Sequence, residues 1–122
     1  MTKAAAVHDF FSSFGLRAYE ESSVPDDAKL PYITYGLVTA SGGYECPVNA
    51  DLWYCGSSWT EINAKTDEIS TVLGSGGVML ACDGGKIRMR RGEPFAVSVN
   101  DEKRADVRHK SVNLFAMYLT HD

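Results

Sequence analysis

Apolar side chains repeat with helical spacing near the start of the chain. Four of them occupy positions i, i+3, i+4 and i+7 and so share one helix face: Val7, Phe10, Phe11 and Phe14. Thr2 precedes this segment and is a typical N-cap residue, whereas Gly15 follows it and suits a left-handed C-terminal position. The pattern predicts an amphipathic helix over 3–14 that packs its aromatic face against a core.

Strands are indicated where β-branched and aromatic residues concentrate or apolar and polar residues alternate. We predict strands over 16–22, 32–40, 50–57, 95–99 and 111–120, with connections at 24–31, 41–49 and 100–110. The strand over 50–57 is expected to run antiparallel to that over 32–40, with Leu52 and Tyr54 opposite to Trp53 and Cys55. The last strand carries apolar residues on both faces, which is typical of a central or doubly covered strand.

A second helix is predicted between Ser58 and Gly74. Ser58 and Glu61 have the spacing of a capping box, in which each side chain binds the other residue's backbone N–H. The apolar stripe of this helix consists of Ile62, Ile69 and Leu73, and its water-facing residues are Lys65, Asp67 and Glu68.

A β-hairpin is predicted over 77–91. Its arms are 77–82 and 86–91, and Asp83-Gly84-Gly85 between them is expected to supply the positive φ angles of a primed turn. Ile87 and Met89 alternate along the second arm with basic residues.

The order of the elements is helix, strands, helix, strands, without βαβ alternation. This order predicts an α+β fold in which two helices pack on one face of a mainly antiparallel sheet. The length of 122 residues fits a single domain over 1–122.

Composition narrows the class of protein. A hydrophobic content of 44% excludes intrinsic disorder, and the longest apolar run, 114–119, is far shorter than the ~20 residues of a membrane span. We expect no secretory leader. The three cysteines cannot form a closed disulfide set, so we expect a protein made inside the cell, in a reducing compartment.

Charge is unevenly distributed along the chain. The net charge is −4, but the segment 86–110 holds eight basic and four acidic residues. The candidate interface residues are Lys86, Arg88, Arg90, Arg91, Lys103, Arg104 and Arg108, the first three of which alternate on one strand face. They are consistent with a solvated edge strand, a nucleic-acid surface or a protein interface. The pI of 5.3 and the lack of interleaved aromatic residues disfavour nucleic acid.

No motif with catalytic specificity is present, and we expect no catalytic site, no cofactor and no metal. His8, His109 and His121 are scattered, and neither a Cys-x-x-Cys nor a His-x-x-x-His pair occurs. Cys46 and Cys55 are expected to approach across a hairpin, where burial as small apolar residues is favoured over metal binding. A cysteine nucleophile with His109 as its base is left open.

Three segments in this order resemble a known family: Leu30-Pro31-Tyr32-Ile33-Thr34-Tyr35, Asp51-Leu52-Trp53-Tyr54, and Ser57-Ser58-Trp59 at the start of a helix. The charged segment 100–110, which leads into a last apolar strand, fits the same pattern. The chain resembles the tail terminator, or tail completion, proteins of long-tailed bacteriophages and prophages.

This resemblance implies a structural virion protein, not an enzyme. Such proteins are small α+β subunits that form hexameric rings, cap the tail tube, end its polymerisation and provide the docking surface for the head. The implied partners are further copies of the chain, the tail tube protein and a head-completion or connector protein, with no membrane and no sequence-specific nucleic acid. The implied location is the head-proximal end of the tail, after synthesis in the bacterial cytoplasm. The alternatives are a head-side neck protein, a small cysteine-dependent hydrolase and a nucleic-acid-binding module.

Overall fold

The structure, a computed structural model, describes residues 1–100 and 104–121. Its elements are α1 (Lys3–Ser12), β1 (Arg17–Glu20), β2 (Tyr32–Tyr35), β3 (Tyr44–Cys55), α2 (Thr60–Leu73), β4 (Val78–Cys82), β5 (Gly85–Val99) and β6 (Val107–Thr120). The strands form one curled sheet in the order β1-β2-β3-β6-β5-β4, and among these neighbours only β1 and β2 are parallel. The predicted α+β class with a mainly antiparallel sheet is confirmed.

Helix α1 forms as its spacing predicts and docks through its aromatic face. The hydroxyl of Thr2 accepts a hydrogen bond from the backbone N–H of Ala5 at 3.0 Å and so caps the helix. Gly15 takes a φ of +79° after the helix ends. The ring of Phe11 stacks on that of Tyr35 with 4.8 Å between centroids, which joins α1 to the sheet.

Helix α2 buries the predicted stripe of Ile62, Ile69 and Leu73 and ends at Gly74 as predicted, but its start differs from the prediction. The helix begins at Thr60, and the hydroxyl of Ser58 accepts from the Thr60 N–H, so the expected capping box with Glu61 is wrong. Lys65 does not face water. Its ammonium donates to the carbonyl of Phe14 at 2.6 Å and ties α2 to the segment that follows α1.

Both helices pack on one face of the sheet around a single core. Strand β6 lies between β3 and β5, and its core-facing residues are Val112, Leu114, Ala116 and Tyr118. The central position predicted for this strand is therefore confirmed. Its second face carries no helix within the described part of the chain, so the apolar residues there are covered only by their neighbours in the sheet.

Strand β2 is shorter and β3 longer than the pattern predicts. Beyond β2, two carbonyls bind side chains: Val38 accepts from the Tyr118 hydroxyl, and Ala40 from the Lys3 ammonium. The predicted connection over 41–49 is wrong beyond residue 43, since β3 begins there despite Pro47. Strand β2 pairs with β3 only at residues 50–53, so the missing N–H of Pro47 interrupts no ladder on that side.

The predicted hairpin is present, with a different turn. Cys82 pairs with Gly85, and among the residues that the structure describes only glycines have a positive φ, so Asp83 does not take the primed-turn angle. Asp83 is bound to Met1 instead: its carboxylate accepts from the terminal ammonium at 2.8 Å, and its N–H donates to the Met1 carbonyl.

Two further boundaries depend on strand pairing. The segment predicted as a separate strand over 95–99 belongs to β5, which continues through an irregularity between Arg91 and Ala96. The predicted connection over 100–110 ends early, because Val107 already pairs with Cys55 in β6. A long antiparallel partner supplies hydrogen bonds that the local polar composition does not reveal.

Candidate interaction surface

The face of the sheet opposite to the helices, here called the helix-free face, is a broad surface of mixed chemistry. Along β6 it carries His109, Ser111, Asn113, Phe115, Met117 and Leu119, which alternate with the core residues. Most of these side chains are half-buried by cross-strand neighbours, whereas Leu119 on β6, Val97 on β5 and Met79 on β4 are exposed. Such exposed apolar residues on an uncovered sheet face are typical of an interaction surface.

Three of the predicted interface residues lie on this face. Lys86, Arg88 and Arg90 alternate with buried Ile87 and Met89 along β5, as the hairpin pattern predicts. Lys86 is exposed, and the guanidinium of Arg88 donates twice to the carbonyl of Gly76, at 3.0 and 2.8 Å. The positive charge of Arg88 thus stays at the surface in a defined position.

The side chain of Arg90 binds other residues of the same chain. Its Nε and Nη2 atoms donate to the two carboxylate oxygens of Glu45 at 2.9 and 2.6 Å, and its guanidinium lies 4.6 Å from the ring centroid of Phe115. These hydrogen bonds lower the pKa of Glu45 and raise the pKa of Arg90. Glu45 compensates the charge of Arg90, so Lys86 and Arg88 carry the free positive charge of this stripe.

The other predicted interface residues are not part of the same patch. Arg91 points to the helix side, where its Nη1 donates to the Ser70 hydroxyl at 2.9 Å. Arg104 pairs with Asp106, and Lys103 lies outside the described residues.

Arg108 lies at the far end of the sheet. It donates to the Ser57 carbonyl and lies 5.2 Å from the ring centroid of Trp59. The pairing of Lys86 with Leu119 places Lys86 eleven β6 residues away from Arg108, roughly 36 Å at the rise of an extended strand. The basic segment in the sequence therefore does not form one continuous surface.

The helix-free face also carries a polar and aromatic cluster that was not predicted from the sequence. The His109 ring stacks on Trp53 with 3.8 Å between centroids, and its Nε2 lies 2.7 Å from Oδ1 of Asp51. The Ser111 hydroxyl donates to the same Oδ1 at 2.6 Å, and the Trp53 indole donates to Thr34 at 3.1 Å. The alternation of His109 and Ser111 along a strand was the available signal for this cluster. It was missed because residues 100–110 were predicted to form a loop.

This cluster lacks the arrangement of a catalytic triad. In a triad the imidazole lies between the nucleophile and the carboxylate, whereas here Ser111 and His109 both bind one oxygen of Asp51. The side chains of Asp51 and His109 are 22% and 17% exposed, and the hydrogen bonds hold both against the sheet. These contacts stabilise the β3–β6 pairing and hold the Trp53 side chain in a fixed orientation.

The cysteines do not come together as expected. Cys46 and Cys55 belong to the same strand, β3, nine residues apart, so their predicted approach across a hairpin is wrong. Cys46 is buried, Cys55 exposed and Cys82 half-buried. Among residues 1–100 and 104–121, no three His, Cys, Asp or Glu residues lie close enough to hold a metal ion.

Two of the open depressions lie at the edges of the sheet. The larger, of about 670 Å³, lies between β1 and the segment 25–31, and a groove of about 360 Å³ runs between α1 and β4. Within the described part of the chain, no helix is long and apolar enough to cross a membrane.

No protein-family model matches the chain, and no curated protein matches it.

Proposed function

We propose that this protein is a ring-forming assembly subunit that caps the tail tube of a long-tailed phage and ends the growth of the tube. The resemblance in the segments 30–35, 51–54 and 57–59 suggests this role. The first two segments contribute to β2 and β3 and the third immediately precedes α2, so they belong to the framework of the fold.

The observation that carries the proposal is the uncovered face of a six-stranded sheet. A chain of this size normally covers apolar sheet surface with its own helices, yet here Met79, Val97 and Leu119 remain exposed beside Lys86 and Arg88. A subunit of a larger assembly buries such a surface against its neighbours. A stable contact needs about 800 Å² from each partner, which a sheet face of this breadth can supply.

The ring mechanism follows from symmetry. Copies that meet through two different surfaces form a closed ring when the rotation between successive copies completes a circle. A ring on the last layer of a tube covers the surface to which the next tube subunit would add. Its outer side then serves as the docking surface for a head-completion or connector protein.

Electron microscopy of the purified chain, alone and mixed with purified tail tube protein, tests this function. We expect rings at one end of the tubes and shorter tubes than in the absence of the chain. If the chain binds filled heads and ignores tubes, the neck-protein alternative is correct. Binding to DNA that falls steeply with salt, without tube binding, would support the nucleic-acid alternative.

The basic stripe gives a second test of the same function. Reversal of Arg90 would place a carboxylate against Glu45 and disturb the monomer, so Lys86 and Arg88 are the better pair to change. We expect the double variant Lys86→Glu/Arg88→Glu to fold normally and to cap tubes poorly. Normal capping by this variant would show that the stripe does not take part.

A further inference from the structure

Strand β4 ends the sheet with an edge that has no partner strand. It pairs with β5 on one side, and within the described part of the chain no strand follows it in the order of the sheet. Cys82 and Gly85 close the hairpin across a two-residue loop, so they exchange hydrogen bonds, as does every second pair along the hairpin. The N–H and C=O groups of Met79 and Ala81 therefore point away from β5, and both residues are exposed.

The side chains of β4 do not protect this edge. Natural edge strands usually carry charged residues or proline, which oppose pairing with another chain. The strand at the other end of the sheet, β1, carries Arg17 and Glu20, whereas β4 has the sequence Val-Met-Leu-Ala-Cys. An uncharged, apolar strand with free backbone groups is a template for a further strand.

A groove runs along the same edge, between α1 and β4, with a volume of about 360 Å³. Most of its lining residues are apolar (Met1, Ala6, Phe10, Met79, Leu80 and Ala81), and Asp9 and Ser13 are the polar ones. A strand added beside β4 directs every second side chain to the helix side of the sheet, as Leu80 is directed, and so towards this groove. The edge supplies hydrogen bonds and the groove receives apolar side chains, so together they fit an extended apolar segment.

We propose that the occupant is β4 of a second copy, paired antiparallel about a two-fold axis at Leu80. This is the register in which all five residues of β4 have a partner. Because the backbone groups of Met79 and Ala81 point outward in both copies, Met79 of each copy forms a hydrogen-bonded pair with Ala81 of the other. A large side chain thus lies beside a small one on the helix-free face, and the two Leu80 side chains meet on the helix side, where the groove lies.

Charge does not oppose this contact. Strand β4 has no charged side chain, and Lys86 and Arg88 lie on β5, which three strand spacings, about 14 Å, separate from β5 of the second copy. This distance exceeds the Debye length of roughly 8 Å at physiological salt, so repulsion between the two copies of these side chains is weak. The contact uses the same surface twice and so joins two copies without propagating. It goes beyond the proposed function and does not depend on it.

Cysteine cross-linking tests the contact and its register. The two Leu80 residues form a non-hydrogen-bonded pair with Cα atoms about 4.5 Å apart, which a disulfide can span. In a Cys55→Ser/Cys82→Ala background, we expect Leu80→Cys to form a covalent dimer under mild oxidation. Met79→Cys is the matched control. Met79 is 52% exposed, but its two copies lie diagonally, about 7–8 Å apart, so we expect cross-linking on the order of 10-fold slower.

Charged substitutions on the same strand give an independent test. In Met79→Glu/Ala81→Glu the new carboxylates lie opposite to Arg88 and Lys86 of their own copy, so the monomer should fold normally. Between copies, however, carboxylate faces carboxylate at both pairs. We therefore expect self-association of the full chain, measured by sedimentation velocity, to weaken on the order of 100-fold. Mixing this variant with Met79→Lys/Ala81→Lys should recover association.

Two controls separate the contact from general effects of charge. Thr71→Glu/Val72→Glu adds the same charge at two exposed positions of α2 and should associate like the wild type. Lys86→Glu/Arg88→Glu changes the neighbouring strand and should leave the cross-link of Leu80→Cys unchanged. Circular dichroism verifies that each variant is folded. If the lysine variant is unfolded, the comparison of cross-linking at positions 79 and 80 decides alone.

The outcomes distinguish the contact from the proposed function. A wild-type chain that stays monomeric at every concentration, or equal rates of cross-linking at positions 79 and 80, overturns the contact. If Leu80→Cys forms the dimer but the chain does not cap tubes, the contact stands and the proposed function is wrong. If tubes are capped and Leu80→Cys forms no dimer, the function stands and the contact is wrong.

Discussion

Arg90 and Glu45 are joined by two hydrogen bonds across β6, although their own strands, β5 and β3, are not neighbours. The guanidinium also lies over the ring of Phe115 on β6, 4.6 Å from its centroid. The pair therefore connects three strands on the face that carries no helix. It stabilises the central part of the sheet from the side that lacks a hydrophobic layer.

Because of this ion pair, we expect the stability of the protein to vary with pH in the acidic range. Because Arg90 lowers the pKa of Glu45, the pair contributes fully above the ordinary glutamate pKa of 4.5. The contribution is lost as the pH falls through the lowered pKa. We expect Glu45→Gln to unfold more easily than the wild type at neutral pH and the difference to vanish in acid, as measured by urea unfolding at a series of pH values. Glu93→Gln, at an exposed position, is the control, and a difference that is constant with pH would contradict the prediction.

Gly85 occupies a position that no other residue fits. Its φ is +152°, and a Cβ atom added there would lie 2.1 Å from the carbonyl oxygen of Leu119 on the neighbouring strand. We expect Gly85→Ala to lower the free energy of unfolding by about 1–3 kcal/mol, measured by chemical denaturation. Gly76→Ala is the matched control, because its Cβ would meet no atom within 4 Å and its φ is ordinary. Equal effects of the two substitutions would show that the close approach to Leu119 is unimportant.

The Tyr118 hydroxyl anchors the segment between β2 and β3. It donates to the carbonyl of Val38, and the Tyr118 side chain is completely buried. Tyr118→Phe leaves this carbonyl without its donor, so we expect a loss of about 1–3 kcal/mol in the free energy of unfolding. Tyr44→Phe, at a position that is 66% exposed, should have no measurable effect in the same denaturation experiment.

Because Tyr118 is buried, we also expect the protein to lose stability at alkaline pH. Burial raises the pKa of Tyr118 to about 12 from the ordinary value of 10. Since the neutral phenol is favoured in the folded state, its contribution is complete below pH 10 and is lost as the pH rises towards 12. Ultraviolet absorbance of the phenolate should show one tyrosine that ionises later in the wild type than any tyrosine in Tyr118→Phe. Identical titration curves would contradict the prediction.

The carboxylate of Asp51 holds two side chains of β6. We expect Asp51→Ala to lower the free energy of unfolding by about 1–2 kcal/mol, and Ser111→Ala by about 0.5–1 kcal/mol, because Ser111 makes one of the two bonds. Loss of the Asp51 partner also frees the His109 ring from its stack on Trp53. Fluorescence of Trp53, recorded in a Trp59→Phe background, should change in Asp51→Ala and much less in Ser111→Ala. The reverse order would show that Ser111 positions the cluster.

The helices and the hairpin were predictable because their signals are local. The i, i+3, i+4, i+7 spacing and the cap at Thr2 are sufficient for α1, and the alternation about Ile87 and Met89 is sufficient for the start of β5. Strand boundaries were less predictable. Val107 and Tyr44 belong to strands because β3 pairs with β6 over the whole length of β3, and this pairing joins residues more than fifty positions apart.

The candidate surface was predictable only in part. The alternation along β5 correctly placed Lys86, Arg88 and Arg90 on one face, since that period follows from strand geometry. The partner of Arg90 is Glu45, and the two are separated by a whole strand, so no local pattern relates them. The separation of Arg108 from Lys86 likewise depends on the direction in which β6 runs.

The sequence by itself determined the periodic features: the fold class, the apolar faces of both helices and the alternation of charge along β5. These follow from the bond geometry of the backbone, which repeats every 3.6 residues in a helix and every two in a strand. Only the tertiary structure decided which residues share a surface. It neutralised Arg90 with Glu45, gathered Trp53 and His109 into one cluster, and separated Arg108 from Lys86 along β6. Such relations depend on strand order and register, which arise from the packing of the whole core and not from any single segment.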